Sequence, residues 1–199
     1  MVPLSRRQVL QLASGAVAAV AGCNGARPSG ETTPMADVPP TVDYESLTVR
    51  ASSERPFVSY RIETEESDDD PNPDDESYTK ELLTTAADAE RVTFGRSADD
   101  VDDARAFLAD TDFERDVVFL HEQPVSNCRE LAVNYVSTTA DSFDVEFCTP
   151  LRPADVDCSV DRRDVVAALV RFPLRTDTVS SYSVGGGRDC RRPPRRERG

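Results

Sequence analysis

Four stretches in the second half of the chain alternate their apolar residues along the backbone, and that spacing belongs to strands. In DVVFLH, Val117 and Phe119 fall on one face while Val118 and Leu120 fill the other, as a central strand requires. Leu131, Val133 and Tyr135 alternate in CRELAVNYV, and Phe143, Val145 and Phe147 do so in SFDVEFC. The short polar link from Ser137 to Asp141 joins these two as a hairpin. DVVAALVRFP is an apolar run of strand length closed by Pro173; its alanine pair leaves helix as the alternative. Shorter strands are expected at Leu47 and Val49, at Val58, Tyr60 and Ile62, and at Val92 and Phe94. One helix is expected, capped by Ser97, with Asp99 and Asp100 at its positive end and Val101, Ala104, Phe107 and Leu108 as its stripe. The expected fold is mainly β (α+β): an antiparallel sheet or sandwich carrying one short helix.

The N-terminus follows a different grammar. Val9 to Gly22 is an Ala/Val-rich apolar run, shorter than the ~20 residues that a membrane span needs. It follows Arg6 and Arg7 in Ser5-Arg6-Arg7-Gln8-Val9-Leu10 and ends in Val20-Ala21-Gly22-Cys23. The adjacent arginines resemble a twin-arginine export signal, and the terminal four residues resemble a lipobox. Those resemblances imply export of a folded chain, cleavage before Cys23 and lipid on the Cys23 thiol. They place the protein on the extracellular side of the cell membrane, held by membrane lipid. An organisation follows: residues 1–22 a signal peptide, 23–42 a flexible Gly/Pro/Ser/Thr-rich tether, 43–184 a β-rich domain, and 185–199 a disordered basic tail.

Charge indicates the setting. Acidic residues number 37 against 23 basic ones, Lys80 is the sole lysine, and the net charge is −14. Removing Arg6 and Arg7 with the signal leaves 21 − 37 = −16. Self-repulsion of that size is costly in dilute buffer, but molar salt shortens the screening length to ~3 Å. Such an acidic, lysine-poor composition resembles that of haloarchaeal exported proteins. Setting Cys23 aside leaves Cys128, Cys148, Cys158 and Cys190, an even number that suggests two disulfides in an exported chain. Strand positions favour Cys128 with Cys158 and Cys148 with Cys190; four buried free thiols are the alternative.

No assembled catalytic motif is evident. The acidic run from Glu63 to Glu76 lacks the spacing and the turn glycine of a Ca²⁺ loop, and reads as a solvated loop between strands. His121, the sole histidine, has Glu122 beside it but no nucleophile elbow and no metal-binding repeat, and reads as a structural or surface residue at a strand end. Gly185-Gly186-Gly187 lacks the Lys-Ser/Thr of a phosphate loop and reads as a flexible joint. The tail beyond it, RDCRRPPRRERG, has arginines but no aromatic residue to stack on bases, so no nucleic acid is expected as a partner. No metal or cofactor is expected.

Asp112-Phe113, then VVFL, two paired strands and a long link into VVAALVRFP is similar in layout to the C-terminal domain of a family of protease-complex subunits. The resemblance covers residues 110–174 and implies a β-rich module. Where that family has Gly-Gly-Tyr after its first strand, this chain has Ser126-Asn127-Cys128. The functional expectation is a lipid-anchored envelope module that binds or stabilises an unknown envelope protein or ligand. The alternative is an extracytoplasmic hydrolase built from scattered carboxylates or Ser/Thr.

Overall fold

The computed structural model describes residues 40–61, 77–96, 98–175 and 179–190. All of them belong to one unit, Val38–Gly199. Arg6, Arg7, Cys23, Ile62, Ser97, the acidic run from Glu63 to Glu76 and the tail beyond Cys190 lie outside the described residues.

The architecture is mainly β, with ten strands and two helices among the described residues. Two strands of eleven residues, β6 (Asp116–Ser126) and β9 (Arg163–Pro173), pair antiparallel along their full length. On the far side of β9 lies β2 (Glu45–Ala51), and on the far side of β6 lies β4 (Lys80–Leu83), giving a central sheet in the order β2-β9-β6-β4. The apolar residues on both faces of β6 thus mark an interior strand. Pro124 fits it for a stereochemical reason. The Glu122 N–H points toward the β4 side, where it donates to Thr79 O at 2.8 Å. Two residues on, Pro124 has the same orientation but lies past the end of β4, where its missing N–H costs no ladder bond.

An outer sheet runs β1-β7-β8-β10, from β1 (Thr41–Val42), β7 (Ala132–Thr138), β8 (Ser142–Cys148) and β10 (Ser181–Gly187). It packs on one face of the central sheet through Phe119, Val136, Phe143, Phe147, Val170 and Phe172. The other face of the central sheet is covered by α2 (Val101–Ala109) and a ribbon of β3 (Val58–Tyr60) with β5 (Val92–Phe94). There Val118, Leu120 and Leu169 meet Phe94, Ala104 and Leu108. Burying each such aliphatic or aromatic side chain contributes ~1.5–3 kcal/mol relative to exposure.

Several expectations are corrected. A second helix, α1 (Ala86–Glu90), is present, fixed by a capping box in which Thr85 and Asp88 bond each other's backbone N–H groups. The N-cap of α2 is Asp100, held in the left-handed region at φ 57°, which an aspartate tolerates better than most residues. The outer sheet is not wholly antiparallel, because β10 runs parallel to β8. Its last three residues are Gly185, Gly186 and Gly187, so the expected joint is the end of a strand. Thr41 and Val42, placed in the tether by composition, pair with Val136 and Ser137. Tyr135 does not share a face with Val133: a bulge at Asn134 shifts the register so that Tyr135 opposes Glu146 while Val133 opposes Phe147.

A buried charge lies on the helix-and-ribbon face of β6. Glu122, 1 % exposed, accepts the N–H groups of Phe57 at 2.7 Å and Val58 at 3.1 Å through Oε1, and that of Thr79 at 3.1 Å through Oε2. One carboxylate thereby fixes the entries to both β3 and β4. In Glu122→Gln an amide NH₂ must face one of these donors, leaving it unpaired. The unfolding free energy should fall by ~1–3 kcal/mol, read as a lower denaturant midpoint at unchanged m-value. An unaltered midpoint would remove Glu122 from this role.

Candidate functional site

The four cysteines form Cys128–Cys158 and Cys148–Cys190, with Cα atoms 5.0 and 5.1 Å apart. Both bonds lie at the end of the outer sheet where β7 begins and β8 ends. Ala132 opposes Cys148 there, Arg129 bridges to Leu151, and the Arg152 N–H donates to Cys128 O at 3.0 Å. Thr149 N donates to Gly187 O at 2.9 Å, which ties the end of β10 into the same knot.

Beside the first disulfide is a polar cluster that sequence pattern did not single out. Asp164, 1 % exposed, accepts from Arg50 Nη1 at 2.7 Å and Asn127 Nδ2 at 2.8 Å, both through Oδ2. Arg50 Nη2 also donates to Arg129 O, and Asn127 Oδ1 accepts from Ser159 N at 2.9 Å. These bonds hold the 127–129 and 158–159 loops onto Arg50 of β2 and the start of β9. Their chemistry is that of a clamp, because the guanidinium and the carboxylate neutralise each other.

His121 sits in the middle of β6 and not at a strand end. It is 6 % exposed and points between the two sheets, stacked on Phe147 at 4.9 Å and lying parallel to Phe119 at 6.1 Å. Its Nδ1 has no hydrogen-bond partner among the described residues. Burial, reinforced by the positive charge of Lys80 and only partly opposed by the Gln123 side chain, lowers its pKa to about 4. Glu122 faces the opposite side of the strand, where its carboxylate is taken up by backbone donors.

From His121 an aromatic row leads outward to the edge of the sandwich. Tyr182 of β10 stacks on Phe143 at 5.3 Å and leans on Phe119 at 5.5 Å, yet remains 47 % exposed. Register places Tyr182, Val184 and Gly186 on this inner face, opposite Phe143, Val145 and Phe147. A side chain at Gly186 would meet nothing within 4 Å. The outer face at the same edge is acidic. A Cβ at Gly185 would collide with Glu146 Oε2, so the carboxylate occupies the space that a side chain there would need. Asp144 accepts from the Ser183 hydroxyl on the same face. Partial burial and then the charges of Glu146 and Asp144 raise the pKa of Tyr135 above its usual value.

An open cleft of about 840 Å³ lies at the opposite end of the sheets, lined in part by Glu114, Arg115, Asp116, Thr139 and Arg175. Glu114 and Arg115 are exposed and Asp116 is half-buried, so the lining charges lie at a solvated rim. Among the described residues no three His, Cys, Asp or Glu side chains gather as a metal site, and no helix is long and apolar enough to cross a membrane. No family model, curated protein or solved structure matches this chain.

The buried imidazole gives the stability of the fold a pH signature. The unfolded chain binds this proton near pH ~6.5, whereas the folded chain resists it until about pH 4. Stability from this group is therefore complete above that upper value and is lost as pH falls through the interval, by up to ~3 kcal/mol. Comparing wild type with His121→Phe separates it from the carboxylates: the stability difference should shift against the wild type between pH 7 and 4.5. A difference constant with pH would show that the imidazole titrates normally.

Proposed function

We propose that this chain is a lipid-anchored binding module of the cell envelope. The observation that carries the reading is the ordered N-terminus: Arg6-Arg7, an apolar run too short to span a bilayer, and Val20-Ala21-Gly22-Cys23. In this reading the domain folds before export, the chain is cut before Cys23, and the Cys23 thiol carries the lipid that holds it at the outer face. Two disulfides in the domain support an oxidising destination, since such bonds persist outside the cytoplasm. The acidic, lysine-poor composition supports a molar-salt setting.

Binding is favoured over hydrolysis by where the charges lie. A hydrolase of the carboxylate type needs two acids converging in a deep pocket. Here Glu122 and Asp164 are consumed by backbone and arginine bonds, and the acids of the cleft line an open rim. The solvent-facing features are instead an uncharged strand edge, an exposed aromatic ring and an acidic sheet face.

Mass spectrometry of the mature N-terminus tests the anchor. The expected product begins at Cys23 and carries lipid mass, and Cys23→Ser should abolish that mass and either release the protein or block its maturation. An unmodified chain beginning at Met1 in the membrane fraction overturns the assignment. The salt setting has its own test. The unfolding midpoint should fall as KCl is diluted below ~1 M, where screening weakens and like charges repel over longer distances. Equal midpoints in dilute buffer and molar KCl would separate the acidic composition from any salt requirement.

A further inference from the structure

Edge strands of a sheet carry unpaired backbone groups, and proteins blunt them with charges, prolines or short length. Most edges of this fold follow that rule. β2 carries Glu45 and Arg50, β4 carries Lys80 and Glu81, and β1, β3 and β5 are two or three residues long. β10 differs: Ser181–Gly187 spans seven residues with neither a charge nor a proline, and its one strand partner among the described residues is β8. Its inner face offers the exposed Tyr182 ring and the open space at Gly186. Its outer face is flanked by Asp144 and Glu146.

We infer that the free edge of β10 is a docking site for an extended basic segment of a partner protein, which adds to the outer sheet as a fifth strand. Alternation along the incoming strand decides its chemistry. Residues pointing inward meet Tyr182 and the space left by Gly186, so they are apolar. Residues pointing outward lie beside the carboxylates of Asp144 and Glu146, so they are arginine or lysine. The glycines suit this role because bare backbone lets another chain approach closely. Charge complementarity selects a basic partner over a second copy of this chain, since two acidic outer faces would be brought together in a β10–β10 pair. The proposal rests on the binding-module reading and names the partner's chemistry. It needs no lipid, so the test below and the analysis of Cys23 fail independently.

The probe is a fluorescent heptapeptide of alternating arginine and valine, titrated into the purified full chain in molar KCl. The titration is repeated at lower salt for as long as the circular dichroism spectrum is unchanged. Binding is expected, tightening as salt falls, with new hydrogen-exchange protection of the amides of residues 181–187. A peptide with glutamate in place of arginine should bind at least ~tenfold more weakly. Gly186→Lys places a charge in open space on the inner edge, with no neighbour to displace, and should weaken binding by a similar factor. The double variant Asp144→Asn, Glu146→Gln keeps the backbone edge and should remove the preference for arginine over glutamate, which holds the test open if the lysine variant unfolds. Three results overturn the proposal. One is no binding; another is equal affinity for both peptides. The third is protection of β10 that rises with protein concentration in the absence of peptide, which would make a second copy the occupant.

Discussion

The pairing of β6 with β9 is the constraint from which the other placements follow. Both strands are apolar on both faces, so this ribbon cannot lie at a surface, and each face must be covered by a separate layer. The outer sheet covers Phe119, Val170 and Phe172, while the α2 helix and the β3–β5 ribbon cover Leu120, Leu169 and their neighbours. Non-local pairing of this kind is costly in loop-closure entropy until both strands are present. The connection between them holds β7, β8 and the loop stapled by Cys128–Cys158, so the hairpin and its disulfide shorten the effective loop that must close.

Polar groups inside such a double-sided core must be satisfied or they oppose it. Glu122 and Asp164 solve this in different ways. Glu122 takes three backbone donors from two different entries, so its charge organises irregular backbone where the ladder starts. Asp164 takes Arg50 from β2 and Asn127 from the end of β6, so its charge registers three elements of the central sheet and its loops. Two buried atoms have no hydrogen-bond partner among the described residues: Asp164 Oδ1, beside its paired Oδ2, and Nδ1 of His121, a ring held neutral between aromatic neighbours where a phenyl group would pack. That ring stacks on Phe147, the β8 residue opposite Gly186 of β10.

Period-two patterning was legible wherever a strand buries its own side chains. β6, the β7–β8 hairpin and β9 stand close to where alternation puts them, and the α2 stripe of Ala104 and Leu108 is buried. Three things escaped for physical reasons. β10 alternates only over Ser181-Tyr182-Ser183-Val184 before three glycines, too short a pattern to read, and its pairing is with a parallel neighbour that precedes it by about 40 residues. The bulge at Asn134 inverts the faces of β7 halfway along, and alternation alone cannot register an inserted residue. The partners of Glu122 and Asp164 are distant in sequence, with separations of 65 and 114 residues for Phe57 and Arg50. Two signals were present and unread. Thr85 and Asp88 have the spacing of a capping box, and His121 continues the alternation of Val117 and Phe119 into the interior.

The bare edge and the second disulfide belong to one argument. Three consecutive glycines lose more conformational freedom on folding than any other residues would, so a strand ending in them is weak on its own. Cys148–Cys190 closes a loop of sequence separation 42 and starts from the last residue of β8, immediately beside the glycines. Cross-links over loops of this size contribute ~2–4 kcal/mol by restricting the unfolded chain, which is comparable to the ordering cost of a few glycines. The staple thus helps the glycine half of the edge, which has no side chains of its own, to persist as a strand beyond the packed Tyr182 and Val184. Replacing the glycines by β-branched residues would have ordered β10 more cheaply. It would also have filled the inner space at Gly186 and displaced the Glu146 carboxylate from Gly185. Fold and disulfide together therefore maintain an edge that is ordered, open on one face and acidic on the other.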